Sequence, residues 1–183
     1  MVRYQMNSTS LQFQKLEANL ERLRGRMPDL PTSCVLLSRL LQHLGRGMSA
    51  MLEHEIRPCG LTEAEFRVLT TLFSQPDGVA HPSDLCSKTS QSPANMSRIS
   101  DALVSRDLIT RLSSLRDRRK MVLRITEQGE DLVRRLLPTL YGPLREMFQD
   151  FSDEDQQRLV AQLKNLSAKL EQAMSQHVPE RAE

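Results

Sequence analysis

The chain has 183 residues, 39% of them apolar, with five Phe, two Tyr and no Trp, enough for one domain, or one compact unit with a long helical appendage, whose interior Leu and Met must fill. Net charge is only +2, so charge distribution, not total charge, has to identify any polyanionic partner. No stretch approaches the ~20 apolar residues of a membrane span, Met1-Val2-Arg3-Tyr4-Gln5 lacks an apolar export core, and Cys34, Cys59 and Cys86 are odd in number and widely spaced, which argues against a disulfide framework or a zinc site. A cytoplasmic protein with reduced thiols, no metal, no cofactor and no membrane partner is expected.

Residues 8 to 27 read as an amphipathic helix with Phe13, Leu16, Leu20, Leu23 and Met27 on one stripe, ended by Pro28-Asp29-Leu30-Pro31. A longer helix runs from Thr32 to Arg57, its stripe including Leu37, Leu40, Leu41, Leu44, Met48, Met51 and Leu52, until Pro58, Cys59 and Gly60 stop it. At about 37 Å it is longer than a small domain can cover.

Thr62-Glu63-Ala64-Glu65 has the form of a capping box, with Leu61 and Phe66 at the two positions of a hydrophobic staple. This helix continues through Val68, Leu69 and Leu72 to the turn Pro76-Asp77-Gly78. Pro82 to Lys88 is a short helix. Ser92 then caps the next one, and Pro93 suits its first position because the missing N–H has no intrahelical partner there. Met96, Ile99 and Leu103 share one face of that helix, leaving Ala94, Asn95, Arg98 and Asp101 on the other.

Leu108 to Leu112 and Met121 to Ile125 are β-prone runs separated by a polar segment too long for a two-residue turn. That segment carries Arg116, Asp117, Arg118, Arg119 and Lys120 at the tip of a hairpin, a cluster suited to touching phosphate. The charge is polarised accordingly: Ser90 to Lys120 holds seven cations against three acids, whereas Thr126 to Glu183 holds seven against eleven. A short helix, a second helix with small polar residues at its front, and a cationic hairpin make the layout of a winged helix-turn-helix.

Thr126 opens a helix carrying Leu132, Leu136, Leu137, Leu140 and Leu144, which Pro138 and Pro143 are expected to bend or interrupt. The last helix opens at Ser152 with Asp153, Glu154 and Asp155 in its first turn, where the helix dipole favours acids, and has its stripe at Leu159, Leu163, Leu166 and Leu170. The fold class expected is therefore mostly α with a small β-hairpin: a winged helix-turn-helix domain plus a helical dimerisation region from both chain ends. Its parts are a helical extension (1–31), a long linking helix (32–60), the DNA-binding domain (61–126, with recognition helix 92–106 and wing 108–125) and C-terminal helices (127–178). The outer helices carry apolar faces that pairing across a two-fold axis would bury.

Asp117-Arg118-Arg119 followed by Thr126-Glu127-Gln128-Gly129, with Pro82-Ser83-Asp84-Leu85 and Asn95 to Leu103 before it, resembles the wing and recognition segments of the MarR family of bacterial transcriptional regulators. The likeness runs roughly from Ser33 to Gln176, and is greatest to the type that represses multidrug efflux operons. It implies a homodimeric, nucleoid-associated regulator, not an enzyme, that binds a pseudo-palindromic double-stranded operator and is released by a small lipophilic aromatic effector. No nucleophile elbow, phosphate loop or zinc-protease motif offers an enzymatic reading.

On the matched positions, Asn95, Ser97 and Arg98 would read base edges, with Gln91 and Ser92 near phosphate. Arg116, Arg118, Arg119 and Lys120 would serve the wing, Arg118 or Arg119 entering the minor groove. Asp101 would hold the wing through Arg119, and Asp117 would orient its tip. Arg98 reads equally as a phosphate clamp. The family's ligand pocket would draw on Leu44, Met48, Met51, Phe66 and Leu69, with Arg46 or His43 as anion partner. Cysteine-based peroxide sensing through Cys34, activation rather than repression, and control of another operon stay open as alternatives.

Overall fold

The computed structural model describes residues 6–113 and 121–177. They form two compact units, Met1–Val68 and Leu69–Glu183.

The first unit begins with α1 (Met6–Arg26) and α2 (Thr32–Ile56), which pack on each other. Phe13 of α1 meets His43 of α2 edge-on, ring centroids 5.0 Å apart. A single 3₁₀ turn, Arg57–Cys59, closes on Gly60, whose φ of 63° is the left-handed value that favours glycine. The capping box at the start of α3 (Glu63–Phe73) forms in both directions: Thr62 N–H donates to Glu65 Oε2 at 2.8 Å, and Glu65 N–H donates to Thr62 Oγ1 at 3.3 Å. Leu61 and Phe66 are both buried, as a staple requires.

The second unit carries the end of α3, then β1 (Val79–Ala80), α4 (Pro82–Thr89), α5 (Pro93–Ser105), β2 (Ile109–Ser113), β3 (Met121–Ile125), α6 (Glu127–Phe148) and α7 (Asp153–His177). The strands form an antiparallel sheet ordered β1-β3-β2, with Ile109 opposite Ile125 and Ser113 opposite Met121 at the root of the hairpin. The third strand, β1, was not expected: two residues are too few to show an alternation, and Val79 and Ala80 are paired only because β3 offers its free edge. Leu85, Leu103, Leu108, Ile109, Leu123 and Val133 are buried and join α4, α5, the sheet and α6 in one core.

Two contacts fix α6 against the turn after α5. Thr126 Oγ1 accepts from Gly129 N–H at 3.1 Å and donates to the Asp107 carbonyl at 2.6 Å. Gly129 is required by close approach, because a Cβ there would lie 2.2 Å from the Leu108 carbonyl oxygen.

Of the two outcomes expected at Pro138 and Pro143, a bend or an interruption, the interruption does not occur: α6 runs without a break through both. Each proline removes one backbone hydrogen bond, but Leu132, Val133, Leu136 and Leu140 are buried along one face and hold the helix in register. Pro138 itself is exposed, where water can take the freed carbonyl. Downstream, Ser152 caps α7 through Asp155 N–H at 3.1 Å. Among the described residues, no helix is long and apolar enough to cross a membrane, and no group of His, Cys, Asp and Glu could hold a metal ion.

Candidate nucleic-acid interface

The surface in question is built on α5. Ser92 caps it, accepting from Asn95 N–H at 3.2 Å, and Pro93 occupies the first turn. Met96, Ile99 and Leu103 are buried, and Ser100 is tolerated in the same core because its hydroxyl donates to the Met96 carbonyl at 2.7 Å. That burial turns Ser97, Arg98 and Asp101 out to solvent, with Asn95 half-buried beside them. The turn from α4 passes through Ser90 in the left-handed region (φ 55°), which reverses the chain sharply enough to set α5 across α4.

The side chains at the front of α5 differ in freedom. Ser97 Oγ donates back to the Pro93 carbonyl at 3.2 Å. Gln91 is engaged at both ends of its amide: Nε2 donates to the Thr89 carbonyl at 3.1 Å, and Oε1 accepts from Asn95 Nδ2. Arg98 is exposed and presents its charge to solvent.

The hairpin is tied to α5 from its own strand. Arg111 on β2 forms an ion pair with Asp101 on α5, whereas the wing partner expected for Asp101 was Arg119. That arginine lies outside the described residues, as do Arg116, Asp117, Arg118 and Lys120. Arg111 was missed from sequence although a signal existed. It stands two residues after the buried Ile109 on a strand, hence on the face of β2 that meets α5. On the other flank, His81 Nδ1 lies 3.4 Å from the Met121 carbonyl at the start of β3.

The residues expected to line an effector pocket differ in exposure. His43 is half-buried against Phe13, Leu44, Arg46 and Met48 are exposed on α2, Met51 is half-buried, and Phe66 and Leu69 are buried on α3. The second unit also has an open cleft of about 1000 Å³, bordered by His81, Asp84, Lys88, Leu112, Val122 and Arg124; it contains none of those seven. The cysteines are thiols outside any disulfide, Cys34 exposed and Cys59 and Cys86 half-buried.

The model of the MarR family matches residues 61–121, the segment from the capping box to the start of β3. The transcriptional repressor MprA of Escherichia coli (strain K12) is 31% identical over 163 residues, covering 87% of this chain and 91% of that protein. Among solved structures, AbsC, a MarR family transcriptional regulator from Streptomyces coelicolor, aligns with a TM-score of 0.68 at 26% identity, covering 76% of this chain and 94% of that one. A mutant of E. coli MarR complexed with operator DNA aligns with a TM-score of 0.65 at 22% identity, over 75% of this chain and 98% of that one, a likeness of fold.

Proposed function

This chain belongs to the MarR family of transcriptional regulators, and from that premise we propose that it is a ligand-responsive repressor that binds an operator as a homodimer. The observation that carries the reading is the solvent face of α5, with Asn95, Ser97 and Arg98 outward, coupled to the adjoining hairpin by Asp101 and Arg111. A helix of this kind enters the major groove, and its short front side chains permit close approach to base edges. Ser92 meets phosphate at the helix N-terminus. Arg116, Arg118, Arg119 and Lys120 serve the wing, where a guanidinium responds to the negative potential of a narrow minor groove, and Asp117 orients the tip.

Two copies would place their reading helices on half-sites about 34–36 Å apart. Exposed apolar residues favour the pairing: Leu37, Leu41, Leu44 and Met48 on α2, and Val160, Leu163, Leu166, Leu170 and Met174 on α7. Following the likeness of its recognition and wing segments to the efflux-repressor type of the family, the proposed target is a multidrug efflux operon and the proposed releasing effector a small lipophilic aromatic compound. His43, Leu44, Arg46, Met48, Met51, Phe66 and Leu69 are the residues proposed to receive it, Met suiting ligands of varied shape. Such a ligand acts by binding the DNA-incompetent dimer more tightly than the competent one.

The test is selection from a pool of randomised duplexes followed by electrophoretic shift across a salt series. The expected result is an inverted repeat whose affinity falls steeply with salt. A folded protein that retards no duplex even at low salt would overturn the reading.

A further inference from the structure

The hydrogen bonds at the front of α5 form a polarised chain with a fixed direction. It starts at the Thr89 carbonyl, which can only accept. Thr89 is itself buried, and its hydroxyl donates to the Leu85 carbonyl at 2.6 Å, so this starting point belongs to the α4 core. Gln91 must therefore turn its amino group toward Thr89 O, where Nε2 sits at 3.1 Å, and its oxygen the other way. That oxygen accepts from Asn95 Nδ2. The Gln91 backbone is held as well, its N–H donating to the Cys86 carbonyl at 3.0 Å. The orientation of both amides thus follows from one backbone oxygen, without any freedom to exchange O and N.

Asn95 is left with Oδ1 and one amide proton. An unrestrained Asn amide has two ways of meeting a purine in the major groove. It can offer one oxygen and one proton, which matches the N6 amino group and N7 of adenine, or it can turn both protons toward the two acceptors of guanine, O6 and N7. With one proton held by Gln91, the second way is closed, and Oδ1 would face guanine O6 acceptor to acceptor. We propose that Gln91 is a positioning residue that, by holding one amide proton of Asn95, makes Asn95 a reader of adenine and a rejecter of guanine at one position of each half-site. This assignment rests on α5 being the reading helix. It gives Gln91 a role distinct from the phosphate contact its place in the sequence suggests.

The test uses a duplex selected from a randomised pool by the unsubstituted protein, together with copies in which each single base pair is changed. The readout is the ratio of affinities for adenine and guanine at the position read by Asn95, because a lost phosphate contact lowers both affinities alike and leaves the ratio unmoved. The unsubstituted protein should favour adenine by roughly tenfold or more. Asn95→Ala should bring the ratio close to unity and thereby identify the position. Gln91→Met should lower the same ratio, and the double substitution should lower it no further than Asn95→Ala alone, as expected for residues acting through one contact. Gln91→Glu keeps an acceptor for Asn95 but sets its second oxygen against the Thr89 carbonyl, acceptor to acceptor, so it should lower the ratio as Gln91→Met does. Thermal unfolding of each variant separates these effects from misfolding. A Gln91→Met protein that keeps the full ratio, or a double variant whose ratio falls additively, would overturn the proposal while leaving DNA binding intact. Failure of the unsubstituted protein to select any duplex would instead remove the premise.

Discussion

The side chains of Asp101 and Arg111 are 65% and 37% exposed, and an ion pair in that setting contributes about 0.2–1 kcal/mol to stability. So small a contribution points to direction: the pair sets the angle of the hairpin against α5 and adds little to holding the core together. Asp101→Asn should accordingly shift the unfolding free energy by less than about 1 kcal/mol, read by urea titration, while lowering operator affinity several-fold in an electrophoretic shift. An equal loss in both measurements would make the pair merely structural. Gly129 presents the opposite balance, since it has no polar role and yet cannot accept a Cβ beside the Leu108 carbonyl. Gly129→Ala should cost about 1–3 kcal/mol through overpacking, with α6 displaced from the end of α5. Residues of the two kinds were unequally legible. Ser92, Asn95 and Arg98 are adjacent in sequence and declare themselves by helical spacing, whereas Arg111 reaches Asp101 across ten positions and shows only through strand alternation.

At the scale of elements, capping chemistry was the strongest guide because it is local and stereochemically narrow. Thr62, Ser92, Thr126 and Ser152 each stand immediately before a helix, and the side-chain oxygen of each accepts from a backbone N–H three residues on. Their contributions should nonetheless differ. Thr62→Ala removes one weak bond of 3.3 Å and leaves the reciprocal Glu65 contact to the backbone in place, a loss of about 0.5–1 kcal/mol. Thr126→Ala removes the bond to Gly129 together with the 2.6 Å bond to the Asp107 carbonyl, and should cost about 2 kcal/mol. Urea unfolding of the two variants side by side checks the ranking. The features that escaped sequence reasoning are those decided by distant neighbours. β1 exists through pairing with β3, a partner more than forty residues away, and α6 persists through two prolines because its leucine face is buried elsewhere.

For the molecule as a whole, the decisive feature is an apolar surface with no cover in a single chain. On α7, Val160, Leu163, Leu166, Leu170 and Met174 recur at intervals of three and four, and their exposures range from 39% to 63%. The interval is that of one helical stripe, and a contiguous exposed stripe is the mark of an interface more than of an ordinary surface. The same helix begins with three acids, Asp153, Glu154 and Asp155, so phosphate is a poor candidate for its partner and a second copy a good one. A two-fold pairing of this stripe is self-complementary, which places Leu166, near its middle, where a charge would meet its own counterpart across the axis. By light scattering at one concentration, the unsubstituted chain should therefore be a dimer and Leu166→Glu a monomer. Because residue 166 is exposed in the single chain, the substitution leaves the core of the second unit untouched, and helical content should not change. Operator binding provides the second measurement. A monomer can engage only one half-site, so the affinity gain that comes from linking two sites is lost, and the shifted complex should require at least a hundredfold more protein, on the order expected for removed bivalency. A Leu166→Glu chain that remains dimeric and binds the full inverted repeat unchanged would locate the interface away from α7 and leave its apolar stripe to another partner.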